Sequence, residues 1–265
     1  MTIKTGLTSI TFRKLSPAQI VSLVARAGLA GIEWGGDVHA PHGDTKTAAE
    51  VAKMTREAGL EVASYGSYYH VGESPAEGLP FSAVLDAAAA LGARMIRVWA
   101  GKKGSSTADE PYREKVRLDT MAAAESAAKA GIAVSFEYHG NTLTDTKESA
   151  LRLMKEVNHP NLRMYWQPPW QMDVALRCAD LEAVLPYVTN LHVFAWRLVK
   201  DSLTRFPLSE GCGEWIEYFQ VAHSSPQDRY ALLEFVKDDS PEQFAHDAKT
   251  LTSMLNNAEL APTQR

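Results

Sequence analysis

Short β-rich runs and longer segments of helical periodicity alternate along the whole chain, and this alternation constrains the fold more than any other feature. The β-rich runs are "TGLTSITF" (5–12), "GIEWGG" (31–36), "LEVASYGSYY" (60–69), "MIRVWAG" (95–101), "IAVSFEYHG" (132–140), "LRMYWQPP" (162–169), "VTNLHVFAW" (188–196) and "YALLEFV" (230–236). Between them, segments such as "SPAQIVSLVARAG", "TAAEVAKMTREAG" and "SPEQFAHDAKTLTSML" carry apolar residues at a 3.6-residue period. Eight β/α units in 265 residues match a single closed (β/α)8 barrel, which needs about 250 residues. An open doubly wound sheet is the alternative, but no GxGxxG or P-loop pattern follows the first run, and "GKKGSS" at 101–106 lacks the spacing for one. No linker or shift in composition divides the chain, so residues 1–265 are read as one domain, with "NNAELAPTQR" (256–265) as a frayed end.

Local signals agree with this reading. Ser16-Pro17 and Ser240-Pro241 are N-cap and first-turn pairs, and Gly28, Gly59, Gly92 and Gly131 stand where helices need left-handed ends. The chain is 45% hydrophobic and can bury a sizeable core. A net charge of −5 offers no general attraction to nucleic acid or to an anionic membrane. The N-terminus has no apolar leader core and no stretch approaches the ~20 apolar residues of a membrane span, so a cytoplasmic protein with no membrane partner is expected. Cys178 and Cys212, without CxxC spacing, indicate neither a disulfide framework nor a thiolate zinc site. A homo-oligomer is left open.

In a (β/α)8 barrel the chemistry lies at the C-terminal ends of the strands. Those ends carry Glu33 and Trp34, Tyr68 and His70, Trp99, Glu137 and His139, Gln167 and Trp170, His192 and Trp196, and Glu234 and Lys237. Glu137, His192 and Glu234 fall at matching depth on the fifth, seventh and eighth runs, each among apolar neighbours. A buried carboxylate needs a partner or a metal, and an oxygen and nitrogen donor set suits a divalent cation such as Mn, Mg, Co or Zn. Each residue alone is also compatible with a polar core group satisfied by its neighbours.

The stretches "SFEYHGNTLTDT" (135–146), "YWQPP" (165–169), "LHVFAW" (191–196) and "LLEFVKDDSPEQFAHDAKTL" (232–251) resemble the xylose isomerase-like TIM barrels of the sugar phosphate isomerase/epimerase type. In ketose 3-epimerases and hydroxypyruvate isomerases of that family, Glu, Asp, His and Glu hold one divalent metal. The resemblance thus implies Glu137, Gln167, His192 and Glu234 as ligands. Gln167 departs from the pattern, standing where aspartate is usual. The loss of one anion should lower metal affinity and raise Lewis acidity, and the alternative is that Gln167 binds substrate hydroxyls instead.

The resemblance implies a metal-dependent isomerase or epimerase of a small keto-sugar or polyol, with Glu137 and Glu234 exchanging the proton beside a carbonyl. A lyase on a keto-sugar, inosose or 3-oxo-glycoside shares the same first step, and a metal-poor sugar-binding protein is the reading outside catalysis. The substrate is expected to be a carbohydrate contacted by His70, Trp99, His139, Trp170, Trp196 and Arg197, with Trp166 in the core. Arg197, Lys200 and Arg205 form a cationic loop able to hold a phosphate, although such loops are more often simply solvated. The nucleic-acid-cleaving relatives carry many more His and Asp ligands, so no nucleic-acid partner is expected.

Overall fold

In the computed structural model, which describes residues 2–260, eight parallel strands close into a barrel wrapped by eight helices. The barrel strands are β1 (Ile3–Thr8), β2 (Gly31–Gly35), β3 (Glu61–His70), β4 (Met95–Trp99), β5 (Ala133–Glu137), β6 (Leu162–Trp166), β7 (Val188–Val193) and β10 (Arg229–Leu233). They pair in that order, and β10 pairs with β1 to close the ring. Two further strands, β8 (Trp196–Val199) and β9 (Ser202–Arg205), form an antiparallel hairpin after β7.

The sequence places every barrel strand but extends most of them too far. Residues 9–12 form a 3-10 turn rather than the end of β1, and residues 138–140, 167–169 and 234–236 have already left the sheet. These overshoots share a cause: the apolar, aromatic composition that marks a buried strand continues into loops that are themselves buried over the barrel mouth. The 188–196 run likewise breaks after Val193, and Trp196 opens the hairpin.

The helices are α1 (Pro17–Arg26), α2 (Thr45–Glu57), α3 (Phe81–Leu91), α4 (Glu110–Lys129), α5 (Lys147–Val157), α6 (Val174–Val184), α7 (Cys212–His223) and α8 (Pro241–Leu260). Ser16 closes a capping box with Gln19, whose side chain accepts the Ser16 N–H at 2.8 Å. Ser240 Oγ accepts the Gln243 N–H at 3.1 Å and caps the start of α8. Residues 256–260, read as frayed, continue α8, and 261–265 lie outside the described residues. No helix among the described residues is long and apolar enough to cross a membrane.

The core fills the space between sheet and helices. Trp166 is fully buried, with Tyr218 at 5.2 Å and Trp215 at 6.4 Å between ring centroids, and Trp215 donates its indole N–H to the Phe194 carbonyl at 2.7 Å. That bond ties α7 to the end of β7 and sets where the following loop departs. Trp34 is also core, its indole N–H donating to Thr55 at 3.1 Å. Truncation of Trp166 to Ala should therefore cost about 3–5 kcal/mol of stability in urea unfolding. A loss below about 1 kcal/mol would show that the α6–α7 layer does not depend on this ring.

Candidate active site

Three acidic or basic side chains and one amide converge inside the barrel at the C-terminal ends of the strands. His192 on β7 is completely buried, and its Nδ1 lies 3.4 Å from Glu137 Oε1, 3.5 Å from Glu234 Oε2 and 3.3 Å from Gln167 Oε1. Glu137 is the last residue of β5, while Gln167 and Glu234 stand one residue beyond β6 and β10. One imidazole nitrogen cannot donate to three oxygens at once, and these separations exceed the usual 2.7–3.2 Å or so of an N–H···O bond. They match instead the roughly 3.0–3.5 Å between neighbouring donors whose bonds to a common cation are about 2.1 Å long. Glu137, His192 and Glu234 thus form a buried group able to hold a metal ion.

Beneath this group lies an ion pair that the strand-end residues alone did not reveal. Arg97, from the middle of β4, is 1% exposed; its Nε donates to Glu33 Oε1 at 3.0 Å and its Nη1 to Glu137 Oε2. Ser64 donates to the other Glu33 oxygen at 2.8 Å. A Cβ at position 66 would lie 2.7 Å from Arg97 Nη2 and 2.8 Å from Glu33 Oε1, so only glycine lets β3 close over the pair. Beside it β3 bulges: its pairing with β4 shifts between Gly66 and Tyr69, and Tyr68 takes a left-handed φ of 54°. The Tyr68 ring is thereby set over the Arg97 guanidinium at 5.0 Å.

The remaining expected contacts sort into two sets. Trp99 donates its indole N–H to Glu137 Oε2, and His139 stacks on the Trp99 ring at 4.6 Å. His70 packs against the same ring at 4.7 Å and reaches the Gly101 carbonyl at 3.2 Å, which makes it a buttress of Trp99. His139, Gln167, Trp170 and Trp196 line one cavity at the barrel mouth. Arg197 does not join them: its guanidinium turns outward to the Glu210 carbonyl at 2.6 Å and the Glu210 carboxylate at 3.4 Å. Arg205 pairs with Asp239 at 2.6 Å, and Lys200 sits in the turn of the hairpin with a φ of 49°. The loop's arginines are thus already engaged by carboxylates.

The electrostatics follow from this packing. Burial works to raise the Glu33 carboxyl, but Arg97 and His192 outweigh it and hold it at about 2. Burial likewise opposes ionisation of Glu137, which Arg97 and His192 nevertheless keep well below the usual range. Glu234 is the exception: burial raises it, the neighbouring carboxylates of Glu137 and Glu33 add to the rise, and His192 and Arg97 offset it only in part. Burial alone would depress His192, yet Glu234, Glu137 and Glu33 raise it to about 10. With neutral imidazole, three carboxylates and one guanidinium leave two negative charges in a dry site, which a dication would balance.

A sequence model of the xylose isomerase-like TIM barrel family matches residues 21–254. The chain belongs to that family. A 3-dehydroshikimate dehydratase of Bacillus anthracis is 26% identical over 279 aligned positions, spanning 95% of this chain and 97% of that protein. The crystal structure of the "probable 3-DHS dehydratase" of Bacillus anthracis superposes with a TM-score of 0.79 at 22% identity, over 94% of this chain and 99% of the other. A xylose isomerase-like TIM barrel protein from Mycobacterium smegmatis, solved in complex with magnesium, gives a TM-score of 0.75 at 15% identity, over 97% and 98%.

The raised His192 changes the pH range expected from an ordinary imidazole. Below about 10 the metal-free site carries a proton on His192, and a metal ligated there must displace it. Uptake of Mn²⁺ at pH 7.5 should therefore release at least one proton, read as a dependence of calorimetric enthalpy on buffer ionisation enthalpy. Apparent affinity should rise by about tenfold per pH unit between pH 7 and 9. A flat affinity with no proton release would remove His192 from the ligand set.

Proposed function

We propose that this protein is a metal-assisted lyase that eliminates a group β to the carbonyl of a keto-sugar or keto-carbocycle, with Glu234 as the acid/base. The observation that carries this reading is the unequal treatment of the two carboxylates facing His192. Glu137 Oε2 accepts from both Arg97 and Trp99, and no side-chain donor among the described residues hydrogen-bonds to the Glu234 carboxylate. A carboxylate held by two donors is a poor proton acceptor, whereas one raised by burial is suited to take a proton and return it. Elimination needs one such group; epimerisation by proton exchange across the substrate needs two of comparable basicity.

Each step has a residue. A divalent ion held firmly by Glu137, His192 and the amide oxygen of Gln167, and only loosely by Glu234, would polarise the substrate carbonyl and acidify the adjacent C–H. Glu234 accepts that proton, and the released electron pair forms the C=C bond of the enolate. As the carbonyl reforms, the bond to the β-oxygen breaks, and Glu234 returns its proton to the departing oxygen. The net change is loss of water, or of an alcohol where the oxygen is substituted. His139 and Gln167 line the cavity and would position substrate hydroxyls, while Arg97 keeps Glu137 ionised. The similarity to a 3-dehydroshikimate dehydratase supports this ending of the chemistry.

The isomerase or epimerase reading is second, favoured by the near-equal placement of Glu137 and Glu234, 3.4 and 3.5 Å from the same imidazole nitrogen. One experiment separates the two. Mn²⁺-loaded protein incubated with a panel of uncharged keto-sugars and inososes, with the anionic 3-dehydroshikimate as a comparison, should yield from the panel a product lighter by the mass of the leaving group, and activity should vanish on chelation. Glu234→Gln should lower turnover by about 10²–10⁴ while substrate still binds. Products of unchanged mass across the panel would replace elimination with isomerisation, and near-full activity of Glu234→Gln would end its role as the acid/base.

A further inference from the structure

The cavity above Gln167 has a volume of about 590 Å³, within the range of roughly 300–1,000 Å³ typical of small-molecule sites. A six-carbon sugar fills only a part of it, so the cavity has room for a second ring. Its end nearest the buried group is polar, formed by Gln167 and His139. Its outer end is formed by Trp170, Phe194, Trp196 and Leu203. Phe194 and Trp196 stack on each other at 4.1 Å, making a double-thickness wall.

Two features of the outer end point to a flat apolar ligand. Trp170 is 50% exposed at the mouth, although its loop is pinned: Arg177 Nε donates to the Pro169 carbonyl at 2.9 Å. A fixed, half-exposed indole presents apolar surface at the cavity. The hairpin brings Leu203 to the same cavity and leaves that side chain 44% exposed.

The charges around the cavity select against an anion. Among the described residues, none that lines it is Lys or Arg, and the single ionisable carboxylate there is Asp145. The nearby arginines are engaged elsewhere: Arg177 with Glu214 at 2.8 Å and Arg197 with Glu210. A carboxylate or phosphate on the sugar's substituent would find no lysine or arginine among the lining residues to pair with.

We propose that the substrate is an uncharged keto-sugar or keto-carbocycle bearing a planar apolar substituent that lies between Trp170 and the Phe194–Trp196 wall, an aryl glycoside being the simplest form. The keto group rests on the lyase reading above; the substituent rests on the cavity alone.

Binding tests the substituent without turnover. Mn²⁺-loaded protein would be titrated with phenyl β-D-glucopyranoside, methyl β-D-glucopyranoside and phenyl β-D-glucuronide, followed by tryptophan fluorescence and saturation-transfer NMR. The phenyl glucoside should bind at least about tenfold tighter than the methyl glucoside, as expected for burying one aromatic ring, and the glucuronide should bind more weakly than the phenyl glucoside. Trp170→Ala should remove most of the phenyl advantage, and Leu203→Glu, on a different element, should do so independently. Equal affinity for phenyl and methyl glucosides, a preference for the glucuronide, or wild-type phenyl binding by both variants would overturn the proposal. Elimination from substrates without an aryl group, combined with no aryl preference in binding, would sink this proposal and leave the lyase reading standing. Aryl preference with no elimination product would do the reverse.

Discussion

A guanidinium that is 1% exposed has to be surrounded by acceptors, and the interior of this barrel is arranged around that requirement. Arg97 reaches from the middle of β4 to Glu33 on β2 and Glu137 on β5, so one side chain ties together strands on both sides of its own. Gly66 leaves room for the pair, Ser64 occupies the other Glu33 oxygen, and Tyr68 lies over the guanidinium from a strained bulge. Breaking such a pair from one side leaves an uncompensated buried charge, which typically costs about 3–5 kcal/mol. The ion pair therefore belongs to the fold as much as to the site.

This arrangement makes the two glutamates facing His192 unequal. Glu137 has one oxygen committed to Arg97 and Trp99, so only its Oε1 faces the imidazole. Glu234, placed just past the end of β10, meets four acidic or basic neighbours and no fixed donor, and it holds a proton more readily. Two carboxylates at nearly the same distance from one nitrogen thus acquire different proton affinities from the residues behind them. A site of this kind can move one proton in and out through one group while the other stays charged.

Much of this was legible in the chain. The eight-fold alternation specified the barrel, because a 2.0-residue and a 3.6-residue hydrophobic period cannot be exchanged, and Glu137, His192 and Glu234 stood out as polar residues inside apolar strands. Arg97 carried the same kind of signal. An arginine inside "MIRVWAG" must find a buried acid, and Glu33 in "GIEWGG" is the matching residue, yet pairing across strands is set by barrel order and register, which no local pattern encodes. Arg197 failed for the opposite reason. Its position after β7 suggested the site, but side-chain direction in a hairpin depends on the register of β8 with β9, and that register turns it toward Glu210. The bulge at Tyr68 was invisible for a similar reason, since nothing in "SYGSYY" announces where pairing with β4 will slip.

The glutamine at position 167 fits the same charge balance. Arg97 and Glu33 cancel, which leaves Glu137 and Glu234 as the net charge that a dication would face. A fourth carboxylate would leave the dry interior with one anion in excess, while an amide oxygen 3.3 Å from His192 Nδ1 offers a donor without that excess. With a dication bound, a neutral donor would also leave more of the ion's positive charge for a substrate carbonyl, as the proposed enolate chemistry requires. An aspartate in this place would suit a site that must retain its metal tightly; a glutamine suits one in which the residues beneath the metal already hold the charge at zero.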